Sequence, residues 1–552
     1  MKRVGFFPMG PFSTNTLIVV VSVFVALFAN SALFNNAFNV YNGGTEEILF
    51  AGSLLPFITA IFVIILSALC HRAASKPVLI VFLLLSSVIA YFMNRYGVVI
   101  DDTMLVNILE TDTGEARDLL SLTLVLYVCI LGVVPSLLIY KAKLNRPDFK
   151  AALVSRLKLV STSAAIIVAV FFSFSAHYTS MFREHREIWY RVNPIQAVYA
   201  AGSLVHESVK SASLPHLIVG ANAKIPEWDT HRELVVMVVG ETARADHFSL
   251  NGYERQTNPR LQTEKVIDFP DFWSCGTSTA QSVPCIFSHY SRTEFDQEKA
   301  SAADNALDVL KRAGVSILWR DNNSSSKHVA DRVEYEVYLT NKTNPDCDGE
   351  CRDEGMLIGL QDYIDRHPRG DVLIVLHQMG NHGPAYYKRY PQAFERFTPA
   401  CKTNDLGACS KEEIVNAYDN AILYTDFFLS KVIELLKQND DEFETAMLYV
   451  SDHGESLGEN GLYLHGLPYF LAPDVQKHVP FVMWFGRNFD PQSLSGIQAR
   501  RLEQLSHDNI FSTLLGLFEI QTAAYDPKMD ILDHTHPGNF EQGASDQSHT
   551  GG

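Results

Sequence analysis

The sequence predicts a chain in two parts, a five-helix transmembrane domain followed by an α/β domain with a mostly parallel central sheet. Three observations predict it. The first third is markedly apolar, although the 552 residues as a whole are 47% hydrophobic. From Glu233 onward, short β-branched runs alternate with helical stretches, the pattern of βαβ units. The cysteines divide along the same line.

Five apolar runs, at 17–34, 48–70, 78–93, 119–140 and 159–176, are each near the roughly 17–25 residues that cross a bilayer, the third being short. A cleaved signal peptide would account only for the first, and no small-residue cleavage site follows it. Basic residues set the orientation. Lys2 and Arg3 precede the first run, His71, Arg72 and Lys76 join the second to the third, and Lys141, Lys143, Arg146, Lys150, Arg156 and Lys158 join the fourth to the fifth. The opposite loops are acidic, with Glu46 and Glu47 in one and Asp101, Asp102, Glu110, Asp112, Glu115 and Asp118 in the other. Five crossings from a cytoplasmic N-terminus place everything after Ala176 outside.

Within the second acidic loop, Met104, Leu105, Ile108 and Leu109 have helical spacing. Either an amphipathic helix on the outer membrane surface or a solvated loop fits that segment. Residues 177–230 read as a connector of short helices on the membrane surface, with Trp189, Tyr190 and Tyr199 suited to an interface. The α/β domain spans 231–537, and the polar tail 538–552 is expected to be disordered.

Cys70 and Cys129 lie inside apolar runs and are expected to pack as small hydrophobes. Cys275, Cys285, Cys347, Cys351, Cys401 and Cys409 all fall in the later part as three sequence-near pairs. No C-x-x-C spacing is present, so nearest-neighbour disulfides are expected, and an oxidising compartment with them. That agrees with the orientation. A formal charge of −17 argues against nucleic acid as a partner, because phosphate neutralisation needs a basic face.

In the α/β part, strands are expected at 234–239, 315–319, 372–376, 446–450 and 479–484, and helices at 303–313, 356–365 and 414–437. Polar residues follow four of the strands: Gly240-Glu241-Thr242, then Arg320-Asp321-Asn322-Asn323 with Lys327 beyond, then His377 with Asn381-His382, then Ser451-Asp452-His453-Gly454-Glu455. Open α/β sheets bind ligands outside the carboxyl ends of their strands, so the four endings converge. Glu241, Asp452 and His453 suit a divalent metal such as Zn²⁺ or Mn²⁺. His382 and His465 suit a second metal or a substrate anion, and Lys327 a phosphate oxygen. The stretch SCGTSTAQSVPC, 274–285, offers three hydroxyls, Thr277, Ser278 and Thr279. A hydroxyl needs a base, a metal or a helix N-terminus to act as a nucleophile near neutral pH. Pro284 argues against an ideal helix starting at Thr279.

The segments VVGETARADHFSLNGY, SCGTSTAQSVPC, WRDNNSSSK, LHQMGNHGPAYYKRYP and SDHGESLGENGLYLHG together resemble the lipid A phosphoethanolamine transferases. These are the membrane-bound group of the alkaline phosphatase–sulfatase superfamily that includes the polymyxin-resistance enzymes. The resemblance covers nearly the whole chain, and none of the expected positions departs from the family pattern. It implies an alkaline-phosphatase-like α/β/α domain facing the periplasm from the bacterial inner membrane. It also implies Thr279 as nucleophile, with zinc held by Glu241, Thr279, Asp452 and His453. His382, His465, Lys327 and Ser324 match positions that hold substrate phosphate or a further zinc, and Asn107, Thr111 and Glu115 match positions for the donor head group. The implied reaction has two halves. Thr279 takes phosphoethanolamine from phosphatidylethanolamine, and a phosphate of lipid A then takes it from Thr279, which confers resistance to cationic peptides such as polymyxin. Cys275–Cys285 would brace the nucleophile loop. A monomer is expected.

Transfer to a lipopolysaccharide core sugar or another glycan is the nearest alternative. A sulfatase-type hydrolase fits less well, since five spans suit lipid donors. A transporter would need charge inside the spans, which carry almost none, and an inert sensor domain would have lost ligands.

Overall fold

The structure is a computed structural model and describes residues 11–41, 44–71, 74–111, 113–145, 147–183, 185–211 and 215–532. Lys2, Arg3, Arg72, Asp112, Arg146 and the tail 538–552 lie outside the described residues, as does the side chain of Glu115. The chain forms two compact units. The first contains Met1–Val209 together with two later segments, Thr403–Lys411 and Ser456–Leu471. The second contains Lys210–Lys402, Glu412–Glu455 and Ala472–Gly552.

Among the described residues, four helices of the first unit are long and apolar enough to cross a membrane: Thr45–Leu69, Ser75–Tyr96, Leu122–Lys141 and Phe149–Ser173. A fifth crossing arises if the pair Thr14–Phe28 and Ser31–Val40, bent by 54°, acts as one span. The unbroken first run expected from hydropathy is therefore interrupted, and the interruption has a local cause. Asn30 Nδ2 donates to the Val25 carbonyl (2.9 Å) and to Asn193 O (3.0 Å), while Asn30 Oδ1 accepts from Asn193 N (2.9 Å). Asn193 Nδ2 in turn donates to Ala29 O and Ser86 O, both at 2.8 Å. The Ala29 carbonyl, left between the two helices by the bend, thus finds a side-chain donor. Glu46 and Glu47 occupy the first turn of Thr45–Leu69, where a helix dipole favours acids. Helix Ser75–Tyr96 ends on Gly97 at φ 73°, a left-handed cap that suits glycine.

Side chains such as Val81, Ile130, Leu138 and Val168 stay exposed on these helices, the surface a bilayer would cover. Cys129 is among the exposed residues, so it does not pack inside as expected, whereas Cys70 does. A hydrophobic group facing lipid needs no protein partner. The connector contributes to the same core through Tyr178, Met181, Ile188 and Val192. The acidic outer loop forms the helix Asp102–Glu110, capped by Asp101, whose carboxylate accepts from Met104 N.

The strands are, in chain order, β1 Glu233–Gly240, β2 Ile267–Phe269, β3 Phe272–Trp273, β4 Ser316–Asp321, β5 Glu334–Val337, β6 Val372–His377, β7 Glu444–Ser451, β8 Ser456–Leu457, β9 Tyr463–Leu464, β10 Phe481–Phe485 and β11 Leu505–Ser506. Seven of them build the central sheet of the second unit, in the order β2-β10-β7-β1-β6-β4-β5. β4 to β7 run parallel with β1, and β10 runs antiparallel to both its neighbours. β1 lies centrally and every one of its positions is buried, as a strand covered on both faces requires. Val235, Met237 and Val239 on one face share a core with Leu307 and Leu310 of helix Ala306–Ala313 and with Leu514 and Leu515 of helix Ile510–Leu517. The long helix Lys411–Asn439 reaches the end of β1, where the Tyr418 hydroxyl donates to Thr242 O at 2.7 Å. Register decides what meets at the sheet edge. Gly240 pairs with Ser451, Val239 with His377, and His377 with Asp321, so the four polar strand endings leave at one level.

Replacing Asn193 by Ala strands the carbonyl of Ala29 and removes a second contact to Ser86 O. The expected cost is about 1–3 kcal/mol, read as a lower melting temperature of the full chain in detergent. An unchanged melting temperature would show that the bend is held by something else.

Candidate nucleophile and metal site

Glu241, Asp452 and His453 lie at the carboxyl ends of the adjacent strands β1 and β7 and are fully buried. Their metal-type atoms all fall within 4.8 Å of one another. Asp452 N donates to Gly240 O (3.0 Å), so the ladder runs one residue past the strands. Asp452 Oδ1 accepts from the amides of His453 (2.7 Å) and Thr242 (3.1 Å). Its Oδ2 receives no hydrogen bond and lies 3.3 Å from His453 Nε2. His453 Nδ1 sits 2.9 Å from Gly454 O, and since a carbonyl only accepts, that nitrogen carries the proton. Nε2 is left facing the carboxylates, 3.3 Å from Glu241 Oε1.

Glu241 is held from two sides. Thr242 Oγ1 donates to Oε1 (2.5 Å), and Asn323 Nδ2 donates to Oε2 (2.7 Å) and to Gln378 O (2.7 Å). Thr242 adopts φ 59°, costly for a β-branched residue and tolerated where its surroundings dictate the conformation. A Cβ on Gly380 would lie 2.9 Å from Glu241 O, so only glycine lets that loop approach.

The segment 274–286 closes over this cluster. Cys275 and Cys285 are disulfide-bonded, and the helix Thr279–Ile286 starts at Thr279 and contains Pro284. Pro284 therefore does not prevent the helix. The segment loses one backbone bond, but it is short and closed covalently around its start. Thr279 Oγ1 lies 3.1 Å from Glu241 Oε2, 3.3 Å from Oε1 and 3.4 Å from His453 Nε2. Thr277 and Ser278 are also fully buried, and Ser278 Oγ has no hydrogen-bond partner. Of the three hydroxyls, Thr279 is the one the geometry brings to the cluster.

Burial, and then the charge of Glu241, push Asp452 up to about 6. Burial opposes a proton on His453, yet Asp452 and Glu241 together raise it to about 10. Two desolvated carboxylates thus demand a positive charge between them, which a proton or a metal ion can provide. Oxygen donors, one imidazole lone pair and a hydroxyl are a donor set that fits zinc. His377, at the end of β6, accepts the same logic from the side. Burial opposes its protonation, while Asp321 at 3.2 Å, with Glu241 and Asp452 beyond, raises it.

His507 has no signature in the sequence. Its Nδ1 accepts from Cys275 N (3.0 Å) and its Nε2 donates to Ser451 O (3.0 Å), tying the nucleophile loop to β7. Burial lowers it to about 3, so it stays neutral in that tautomer. Asn323 was visible as a strand-end residue, but nothing in its spacing showed that it orients Glu241.

Ser324 and Lys327 lie on the loop leaving β4, and His382 on the loop leaving β6, at the same sheet edge. Lys327 is buried, and Ser325, Lys327 and His328 all have positive φ, a strained run of the sort found at ligand sites. His465 belongs to the first unit, with Asn107 and Thr111. A Cβ on Gly466 would meet Met104 Cε at 2.7 Å and Asn107 Nδ2 at 3.4 Å, so the His465 loop packs on helix Asp102–Glu110. Thr111 Oγ1 closes that helix by donating to Asn107 O (2.7 Å). Cys347–Cys351 is bonded, and Cys401 and Cys409 are also in disulfide linkage.

Comparison with known proteins agrees with both halves of the chain. Residues 58–209 match the family model described as phosphoethanolamine transferase EptA/EptB, and residues 233–520 match the sulfatase family. Phosphatidylethanolamine transferase Mcr-1 of Escherichia coli is 43% identical over 525 residues, covering 91% of this chain and 94% of the relative. Phosphoethanolamine transferase EptA of Salmonella typhimurium is 41% identical, covering 82% and 84%. The solved integral membrane protein lipooligosaccharide phosphoethanolamine transferase A of Neisseria meningitidis superposes with a TM-score of 0.91 at 34% identity, over 95% of this chain and 99% of that one. With a membrane region and an alkaline-phosphatase-like domain matched along its length, the chain belongs to the phosphoethanolamine transferases.

Proposed function

We propose that the chain moves phosphoethanolamine from phosphatidylethanolamine to a phosphate of lipid A through a phosphoethanolamine–Thr279 intermediate, as a zinc-dependent enzyme of the bacterial inner membrane with its catalytic unit in the periplasm. The observation that carries this reading is the Thr279 hydroxyl, 3.1 Å from Glu241 and 3.4 Å from His453. The full-length likeness to a phosphatidylethanolamine transferase supports the donor.

Glu241, Asp452, His453 and Thr279 would hold zinc, which when bound supplies Lewis-acid charge that lowers the hydroxyl pKa and screens the carboxylates. In the first half-reaction, Thr279 Oγ1 forms a bond to the donor phosphorus and the bond from phosphorus to the diacylglycerol oxygen breaks. The threonine proton has Glu241 as its nearest acceptor and ends on the departing glycerol oxygen. In the second half, a hydroxyl oxygen of the lipid A phosphate attacks the same phosphorus, the bond to Thr279 breaks, and the threonine oxygen takes the proton that the attacking hydroxyl gives up. Lys327 and His382 are assigned to the phosphoryl oxygens, where positive charge or a hydrogen-bond donor stabilises the developing charge, with Ser324 beside them. Asn107, Thr111, Glu115 and His465 are assigned to the donor head group and its phosphate. The enzyme acts as a monomer in this reading. Its product carries an added amine, which weakens attraction of cationic peptides such as polymyxin.

Thr279→Ala is expected to lower transfer at least about 10³-fold while the protein still folds, and Thr279→Ser to retain part of the activity. Mass spectrometry of lipid A and of the core from cells carrying each variant reads this out. Undiminished lipid A modification with alanine would remove Thr279 from the mechanism, and a label found on core sugar would replace the acceptor. Asn323→Ala frees Glu241 and is expected to cost about 10–100-fold in zinc affinity or rate. Stripping zinc with a chelator should abolish turnover, and adding zinc back should restore it; activity in metal-free protein would contradict the cofactor.

A further inference from the structure

The end of the sheet remote from Thr279 also holds buried acids. Glu233 is the first residue of β1, and Asp371 immediately precedes β6. Leu234 pairs with Val372, so the two carboxylates stand side by side, and Glu233 N donates to Asp371 Oδ1 at 3.2 Å. Asp229 comes from the loop that enters β1. One oxygen from each of the three carboxylates lies within 4.8 Å of the others. Glu233 is 4% exposed and Asp371 2%, and Glu233 Oε2, Asp371 Oδ2 and Asp229 Oδ2 are buried atoms with no hydrogen-bond partner.

Three acidic side chains gathered this closely, Glu233 and Asp371 buried and Asp229 half-buried, each with a carboxylate oxygen that lacks a hydrogen bond, need something between them. Among the described residues, no arginine or lysine forms an ion pair with any of the three. The groups that act electrostatically on Glu233 are Asp371, Asp229 and Glu519, all acidic. Arg232, next in sequence, directs its guanidinium to the carbonyls of Gly370 (3.0 Å) and His367 (2.7 Å) and toward Glu442. His231 is exposed and acts on Asp229, 3.7 Å from Glu444. Burial, then Asp371, Asp229 and Glu519, push Glu233 up to about 10. Two carboxylates cannot donate to each other, so either a proton is shared or a cation sits among them. A single shared proton satisfies one pair and leaves the third oxygen orphaned. A cation satisfies all three.

We infer that Asp229, Glu233 and Asp371 form a structural site for a hard divalent cation of the calcium type. The donors are all oxygens, the preference of calcium rather than of zinc. A point within about 2.8 Å of three atoms no more than 4.8 Å apart always exists, close to the roughly 2.3–2.6 Å of calcium–oxygen bonds. Glu233 and Glu241 are separated by β1, about 25 Å at ~3.3 Å per residue, so this site shares no ligand with the catalytic one. Its role is to pin the entering loop and the starts of β1 and β6.

The test uses the full chain, zinc-loaded and in detergent, titrated with calcium chloride while zinc is held constant. One calcium ion is expected to bind per chain, and millimolar calcium to raise the melting temperature by several degrees. Glu233→Gln and Asp371→Asn keep the shape and remove charge. Each should start with a melting temperature at or above that of the parent, lose the calcium response in both calorimetry and unfolding, and keep the basal transfer activity. A parent protein that does not respond to calcium overturns the site, as does an equal response in either variant, which would place calcium elsewhere.

Discussion

Glu241 and Asp452 are two carboxylates forced together in a place without water, and much of the second unit is arranged around that constraint. Parallel pairing of Gly240 with Ser451 delivers both acids to the same level of the sheet edge. Once there, they must be held and neutralised. Asn323, Thr242 and the amides of Thr242 and His453 supply hydrogen bonds, while the imidazole of His453 faces both acids. None of these contacts neutralises two charges by itself, which is why a divalent metal suits the site better than a proton. The disulfide-closed turn ahead of helix Thr279–Ile286 brings the Thr279 hydroxyl to the same point.

His507 shows how the loop and the sheet are kept in register. A neutral histidine with one nitrogen accepting and the other donating can join a backbone amide to a backbone carbonyl, here Cys275 to Ser451. Deep burial secures that neutral form. The contact fixes the loop relative to the strand that carries Asp452 without adding charge to a site already rich in it.

The first unit solves a different problem with the same economy of polar groups. An apolar chain that bends frees carbonyls, and these cannot be left bare in an apolar setting. Asn193 meets the Ala29 carbonyl, and with Asn30 it joins the bend to helix Ser75–Tyr96 and to the connector. At the lower end of β1, Asp229, Glu233 and Asp371 pose again the question that Glu241 and Asp452 pose at the upper end, with oxygen donors alone.

Hydropathy and loop charge alone determined the membrane region, because length and apolarity are local properties of the chain. Four of the parallel strands, β1, β4, β6 and β7, were legible for the same reason, each being a short β-branched run, and the motifs around Glu241, Thr279 and Asp452 put those residues forward before any geometry. The break at Asn30 was not legible, since it depends on Asn193, which lies 163 positions away. Likewise the short strands β2, β3 and β5 carry too few residues to show a period, and the helix through Pro284 defied its local propensity where a disulfide ties its Cys285 to Cys275 in the preceding loop. Only the tertiary structure singled out Thr279 by distance, gave Asn323 its partner, and brought His507 between Cys275 and Ser451. Such roles rest on directional contacts between distant residues, and no local pattern encodes which partner a hydrogen bond will find.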